Sequence, residues 1–479
     1  MMRPQTGSGS KASLTLVTLA LMFAGLLAGS GAPAQSAGAA EYTVTDLGTL
    51  PGASSSGAEA INDSGQVVGW SGTHPGAGDT RGFLWQDGAM TDLGSLGGGD
   101  YSRAFDVNGS GQVVGDSSYP VDTSGNGPTK AFRWQNGTMT DLGSLLPEPY
   151  EESHAYATNG SGQVVGKSLA EDDNGDRWDH AFLYHNGQMT DLGILAPDGA
   201  PGDSVAHDIN GSGQVVGEAD LEDFAGTHAF LYESGQMTDL GTLGGSNFSV
   251  AYDINDVGQV VGESGLDGFL WQNGAMASLG DIEPAAINDA GQVVGSACLP
   301  DGGEGCKDQA VVYQGGQMQR LNNLTDPASG WDLHRATDIN EEGQIVGTGT
   351  ISSEEHAFLL TPQQDTEAPT VTGVSPTGRG ISPTADVTAT FSEGMDAGTI
   401  TTGTFELVKK GTTQVIGAEV AYDAAAKKAT LDPIGKLKRG ATYRATVTTG
   451  AEDAAGNALD QDPITAGDQS KTWRFKVSA

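Results

Sequence analysis

The chain has two cysteines, few bases and no long apolar run beyond residue 27. Each shortage excludes something. Lys and Arg number 23 against 61 Asp and Glu, a formal net charge of −38. The summed field of so many acids repels nucleic acid and anionic membranes, so neither is an expected partner. The one apolar run, Leu14 to Leu27, has no successor, which argues against an integral membrane protein. No phosphate-binding loop, nucleophile elbow or Cys-His arrangement occurs, so the enzyme classes those motifs mark have no support.

That apolar run reads as part of an export signal spanning residues 1–40. Arg3 and Lys11 supply a positive start, and Ala32-Pro33-Ala34 or Gly38-Ala39-Ala40 offers a small-residue processing site. The run is short for a membrane anchor, and no cysteine follows it to carry a lipid. The tail, Phe475-Lys476-Val477-Ser478-Ala479, has no apolar anchor, so a secreted, monomeric protein is expected. In an exported chain Cys298 and Cys306, in a loop of Gly, Pro and Asp, read as a small disulfide.

Charge is unevenly spread. Residues 41–365 carry 48 acids against 9 bases, whereas residues from 366 onward carry 13 against 12. The acidic part suits cations, a basic partner or simply a solvated coat.

The dominant feature is self-similarity. Gly-Gln-Val-Val-Gly starts at Gly65, Gly111, Gly162, Gly213, Gly258 and Gly291, and recurs with Ile at Gly343. An Asn stands three residues before each, from Asn62 to Asn340, the chemistry of a tight hairpin: Asn opens the turn and Gly takes its left-handed position. A second hairpin follows. Its first strand resembles Gly82-Phe83-Leu84-Trp85 or Ala181-Phe182-Leu183-Tyr184, and its turn is Asp87-Gly88, Asn136-Gly137, Asn186-Gly187, Ser234-Gly235, Asn273-Gly274 or Gly315-Gly316. Each unit thus holds four short antiparallel strands with no helical period, which predicts a blade. The segment Val44-Thr45-Asp46-Leu47-Gly48 is a fourth strand without a blade in front of it, and the last repeat stops at a third strand. Pairing residues 42–48 with 356–362 would close a seven-bladed β-propeller over residues 41–364 and leave no unpaired edge.

The repeats resemble the HAF-type extracellular repeat family, whose label matches His-Ala-Phe at His180, His228 and His356, although Arg81, Lys130, Asp267 and Gln309 stand at the equivalent place elsewhere. The resemblance implies export and repeat architecture and no activity. From Asp365 the composition shifts, and seven strands are expected near Val371, Ala385 to Phe391, Phe405 to Val408, Ala418 to Tyr422, Ala429 to Leu431, Tyr443 to Val447 and Trp473 to Val477. Phe391-Ser392-Glu393-Gly394-Met395-Asp396 and Asp453-Ala454-Ala455-Gly456-Asn457 are similar to the bacterial Ig-like domain of surface-layer and secreted proteins. That likeness implies an Ig-like β-sandwich over residues 365–479, an adhesion or attachment module. The fold class is all-β.

Candidate chemistry is thin. The histidines show no metal or catalytic spacing and read as structural, as do the Thr-Asp-Leu-Gly aspartates Asp46, Asp92, Asp141, Asp191 and Asp239. Two loops place oxygen donors at alternate positions: Asp122, Ser124 and Asn126, then Asp172, Asn174 and Asp176. They are either solvated turns or calcium loops, and calcium is the cofactor they would suit. Trp85, Trp134, Tyr184, Tyr232, Trp271 and Tyr313 are expected between blades, and loops of unequal length such as 298–306 are the recognition surfaces expected. No singular carboxylate pair stands out, so no catalytic residue is assigned. The expected function is a secreted or cell-envelope binding or scaffold protein for a glycan or protein ligand. The alternative is an extracellular polysaccharide-active hydrolase or lyase with its site in the propeller mouth.

Overall fold

The computed structural model describes residues 41–479 apart from 74–78, 121–126, 148–150, 173, 197–200, 223–224, 301–304, 364, 463–466 and 468. Residues 1–40, where an export signal is expected, therefore lie outside the described residues, as do Asp122, Ser124 and Asn126. No helix among the described residues is long and apolar enough to cross a membrane.

Among the described residues, seven four-stranded sheets precede two more. The first six are meanders of consecutive strands, called blades 1 to 6 here, starting at Ser55, Ser102, Ser153, Ser204, Ser249 and Glu283. Blade 7 takes Asp332–Ile339, Ile345–Ile351 and Glu354–Pro362, and Tyr42–Gly48 as its outer strand, in register from Tyr42↔Pro362 to Gly48↔Ala357. Chain start and blade 7 thus share one ladder, and no edge is left at the seam.

The repeated residues explain why the ring closes. Each repeat asparagine uses its side chain twice. Its Oδ1 accepts the N–H of the Gln four residues on, which shapes the turn. Its Nδ2 donates to the main-chain oxygen of the next blade's asparagine at 2.9–3.3 Å, running Asn62, Asn108, Asn159, Asn210, Asn255, Asn288, Asn340 and back to Asn62. Further out, Ser56, Ser102, Ser153, Ser204 and Ser249 each accept an N–H from the preceding blade (the seventh, for Ser56) and donate to a glycine carbonyl of that same blade. Apolar contact fills the rest. Phe83, Phe132, Phe182, Phe230, Phe269 and Phe358 are fully buried, each worth roughly 2–3 kcal/mol of transfer energy. Phe132, with Ala104 and Val113 of blade 2, packs on Ala60, Val68 and Leu93 of blade 1. Trp85, Trp134, Tyr184, Tyr232, Trp271 and Tyr313 lie half-buried against these inter-blade clusters.

The two glycines of the repeat string serve different ends. The first has a positive φ of 71–81° in all seven copies, a conformation that favours glycine. The last, Gly69 through Gly347, faces the inner strand so closely that a Cβ would lie 1.9–2.0 Å from a main-chain oxygen. The cause is a bulge in the inner strand of every blade, at Ala58/Ala60, Ala104/Asp106, Ala155/Ala157, Ala206/Asp208, Ala251/Asp253, Pro284/Ala286 and Ala336/Asp338.

The remaining sheets form the sandwich: Val371–Ser375, Val387–Phe391, Lys428–Pro433 and Ala418–Asp423 in one, Gly378–Ile381, Lys471–Val477, Thr442–Val447 and Phe405–Lys409 in the other. One strand is additional to the seven expected: exposed, glycine-rich Gly378–Ile381, which runs parallel to Lys471–Val477. Cys298 and Cys306 are joined as a disulfide, with Cα atoms 5.2 Å apart.

Candidate functional site

A bulge adds one residue without a partner and re-aims its side chain. The extra residues, one per blade, are Glu59, Phe105, Tyr156, His207, Tyr252, Ala285 and Thr337. Their neighbours along the strand are nearly constant: alanine before them in six blades, alanine or aspartate after. The scaffold dictates those positions and leaves the bulge residue free. Here the repeats differ most.

The bulge side chains converge at the inner edge of the blades. Across blades 2 to 5, Phe105 meets Tyr156 edge-on at 5.4 Å, Tyr156 stacks on His207 at 6.0 Å, and His207 meets Tyr252 edge-on at 5.9 Å. His154 lies parallel to Tyr156 at 6.3 Å, and the Arg103 guanidinium sits 5.0 Å from the Phe105 ring centre. All are half-buried, so this arc of rings lines the channel rather than filling a core. On blades 6 and 7 the bulge carries the smaller Ala285 and Thr337 instead of a ring.

Charged partners surround the arc. Arg103 pairs with Glu59 of blade 1 at 2.5 Å, and His154 Nδ1 lies 2.7 Å from Asp116 Oδ2 of blade 2. Burial pulls the His154 imidazolium down, but the hydrogen bond and charge of Asp116 outweigh it, so its pKa is raised overall. Tyr252 donates to Glu263 at 3.2 Å, and His207 Nε2 stands 3.7 Å from Glu218. Burial pushes the Tyr156 phenol up to about 12 and raises Tyr101 and Tyr252 as well, so these phenols stay protonated donors at neutral pH. Three buried polar atoms here, Arg103 Nε, His207 Nε2 and Asp116 Oδ1, have no hydrogen-bond partner.

One residue beyond the bulge, four blades carry a carboxylate: Asp106, Asp208, Asp253 and Asp338. Each accepts an N–H from the next blade's inner strand, at Thr158, Ile254, Ile287 and Ile61, within 2.6–3.0 Å. Burial pushes Asp106 and Asp338 up to about 7. Burial, then the charge of Asp208, lifts Asp253 well above the carboxylate range, and burial raises Asp208 as well.

The residues singled out in the sequence fall elsewhere. His180, His228 and His356 bond Asp191, Asp239 and Asp46 at 2.8–3.0 Å, pairing the repeated histidine with the Thr-Asp-Leu-Gly aspartate. Those aspartates also accept the N–H of the glycine two residues on. Asp172 Oδ1 accepts the N–H groups of Asn174 and Asp176, and its Oδ2 accepts from Trp178 Nε1. Desolvation raises Asp172 slightly, the N–H donors of Asp176 and Asn174 outweigh it, and the carboxyl sits below its ordinary value. Among the described residues, one acidic trio brings oxygens within 4.8 Å of each other: Asp365, Glu393 and Asp453 of the sandwich. Asp453 already accepts from Ala455, Asn457 and the Asn457 side chain.

The sandwich and part of the propeller have counterparts among known families. Residues 365–477 match the model of a bacterial Ig-like domain, and residues 101–299 match that of a protein of unknown function (DUF3466). No curated protein matches the chain. Among solved structures, the β-propeller domain of the Trilobed protease from Pyrococcus furiosus is 8% identical, with a TM-score of 0.38 over 61% of this chain and 89% of that one. The extracellular domain of a one-component system from B. thetaiotaomicron is also 8% identical, with a TM-score of 0.38 over 91% of this chain and 59% of that one. The N-terminal part of the bacterial S-layer protein SbsC is 22% identical with a TM-score of 0.19, and the chain spans 24% of its length. At such scores the architecture rests on the chain's own strand pairing.

Proposed function

We propose that this is an extracellular or cell-envelope binding and scaffold protein whose glycan or protein ligand docks at the propeller mouth on the arc of Phe105, Tyr156, His207 and Tyr252. The observation that supports it most is the placing of four different rings on consecutive blades at the one position the scaffold leaves free. Large flat side chains with polar tips give binding area at low entropic cost. The Ig-like sandwich and the HAF-type strings at His180, His228 and His356 are in keeping with an extracellular setting. A glycan array probed with the full chain and with a Tyr156→Ala/His207→Ala/Tyr252→Ala variant tests the site. Loss of a specific signal in a variant of unchanged Tm supports it, and an unchanged signal sinks it.

The hydrolase or lyase reading keeps one specific support, the neighbouring carboxyls Asp208 and Asp253, both raised by burial, since paired carboxyl groups are what general acid-base work requires. Turnover of any polymer in a hydrolase and lyase screen, lost in Asp253→Asn, would move the protein to that class. Calcium at Asp122, Ser124 and Asn126 and at Asp172, Asn174 and Asp176 belongs to the same proposal as a stabiliser. A fall in Tm on adding chelator supports it, and an unchanged Tm removes it.

A further inference from the structure

The sandwich is nearly balanced in charge, with 13 acids against 12 bases from residue 366 onward, but six of those bases lie along one sheet. In the sheet that contains Thr442–Val447 and Lys471–Val477, alternation sends Tyr443, Ala445, Val447, Trp473, Phe475 and Val477 into the core. Arg444, Arg474 and Lys476 are left outside, all exposed. Register then sets Arg444 directly opposite Arg474, and Arg379 of the edge strand beside Lys476. Lys409 and Lys410 end the strand on the other flank, where Val408 pairs with Arg444. Among the described residues none of these six bases has an ion-pair partner. The second sheet is the reverse, with Glu419 opposite Asp432 and Asp423 opposite Lys428.

Like charges set opposite each other across two strands destabilise the pair, and the one acid that register puts on that face is Glu406, opposite Thr446 and diagonal to Arg444. Beside them the surface dips into a concavity of about 120 Å³ where Lys409, Lys410, Arg444 and Arg474 meet Val408, Tyr443 and the Gly411-Thr412 turn. Four cationic side chains around a hollow of that size suit one oxyanion group. Arg379 and Lys476 continue the stripe across neighbouring strands, roughly 4.8 Å apart, which matches a chain of repeated anionic groups better than a single small ion.

We propose that this face binds a polyanionic glycan, with one carboxylate, sulfate or phosphate group seated between Lys409, Lys410, Arg444 and Arg474. At physiological ionic strength the field of the acidic propeller fades over roughly 8 Å, so the local stripe governs at contact. Such a glycan is a second ligand, independent of the propeller mouth, and would tether the protein to an acidic polymer. The test is retention of the full chain, at 0.15 M salt (roughly physiological), on immobilised polygalacturonate, dextran sulfate and neutral dextran. The wild type is expected on at least one acidic polymer and not on neutral dextran. Arg444→Gln/Arg474→Gln should weaken binding at least tenfold with Tm unchanged or slightly raised, while Arg444→Lys/Arg474→Lys retains most of it and the mouth variant retains all. Retention by neither acidic polymer, or equal retention of the Gln variant, overturns the proposal. So does a sedimentation run in which self-association, lost in the Gln variant, accounts for the retention, because the face would then be taken by the acidic surface of a second copy.

Discussion

In the sandwich the buried side chains of both sheets form one continuous apolar cluster, from Val371 to Val477. In the propeller they are split into small groups, each shared by two neighbouring blades, and the ring is tied by side-chain amides and hydroxyls. A single cluster buries most of what it can from local contacts. A ring has no interior until its last blade meets its first, and that seam joins residues about 280 to 318 positions apart. Stability in the propeller therefore depends on polar groups held in fixed positions, whereas the sandwich depends on volume.

The largest contrast should come from glycine. Gly217→Ala puts a Cβ 1.9 Å from the Val205 carbonyl oxygen, against backbone that cannot step aside. A loss of about 3 kcal/mol or more is expected for the propeller. Gly450→Ala in the sandwich meets two side-chain atoms, Thr404 Cγ2 at 3.3 Å and Thr448 Oγ1 at 3.7 Å, and about 1 kcal/mol or less is expected. Denaturant unfolding followed separately for the two domains decides this, and equal losses would break the contrast.

Next in size is the asparagine ring. Asn340→Ala removes the buried bond that closes the circle onto Asn62 and leaves the half-buried Gln344 N–H without its acceptor. Roughly 2–3 kcal/mol is expected. Asn457→Ala in the sandwich loses bonds to the Asp365 carbonyl and to Asp453 in a part-exposed loop, and about 1 kcal/mol is expected. If Asn340→Ala proved the milder, the ring would be ornament and the apolar clusters would carry the fold.

Much of this architecture is legible in the sequence because a propeller repeats itself. Seven Gly-Gln-Val-Val-Gly strings and an unpaired Val44 to Gly48 segment are enough to infer blades and their seam. What each repeated residue does was harder to read. The asparagine looks like a turn residue, and its reach into the next blade needs coordinates. The bulge is invisible to an alternation count, because the extra residue stands between short side chains, alanine or proline before it and alanine or aspartate after it, in every blade. Yet a signal for the mouth was present. The column three residues before each asparagine reads Glu, Phe, Tyr, His, Tyr, Ala, Thr while its neighbours stay constant. Strand Gly378–Ile381 had none, since it is exposed, carries two glycines and buries no apolar face.

A smaller effect is expected from the channel carboxylates, which have no counterpart among the sandwich strands. Asp106 and Asp338 titrate at about 7 in the folded chain and at roughly 3.9 when unfolded. A raised carboxyl favours the protonated native state, so its contribution is complete below about pH 4 and is lost as pH rises through about 7. Exposed acids have finished titrating by pH ~5. The propeller Tm should therefore fall between pH ~5 and ~8, while the sandwich transition stays level. Asp253→Asn removes another carboxyl that burial and the charge of Asp208 raise and should flatten that slope. A propeller Tm that rises over the same window would reverse the assignment.

The smallest change in stability should come from the residues with most to do. Tyr252→Ala removes a half-buried phenol bonded to Glu263 and one edge contact with His207, and takes nothing from the asparagine ring or the inter-blade clusters. About 1 kcal/mol or less is expected, set against roughly 2–3 kcal/mol for a ring asparagine two blades away. The reason is that the bulge faces the channel while the scaffold lies behind it, so the fold tolerates Glu, Ala or Thr at the same position. Thermal unfolding of Tyr252→Ala beside Asn340→Ala measures this directly. A Tyr252→Ala chain as unstable as the ring variant would mean that the arc of rings is part of the core, and that the one column free to differ between blades is not free at all.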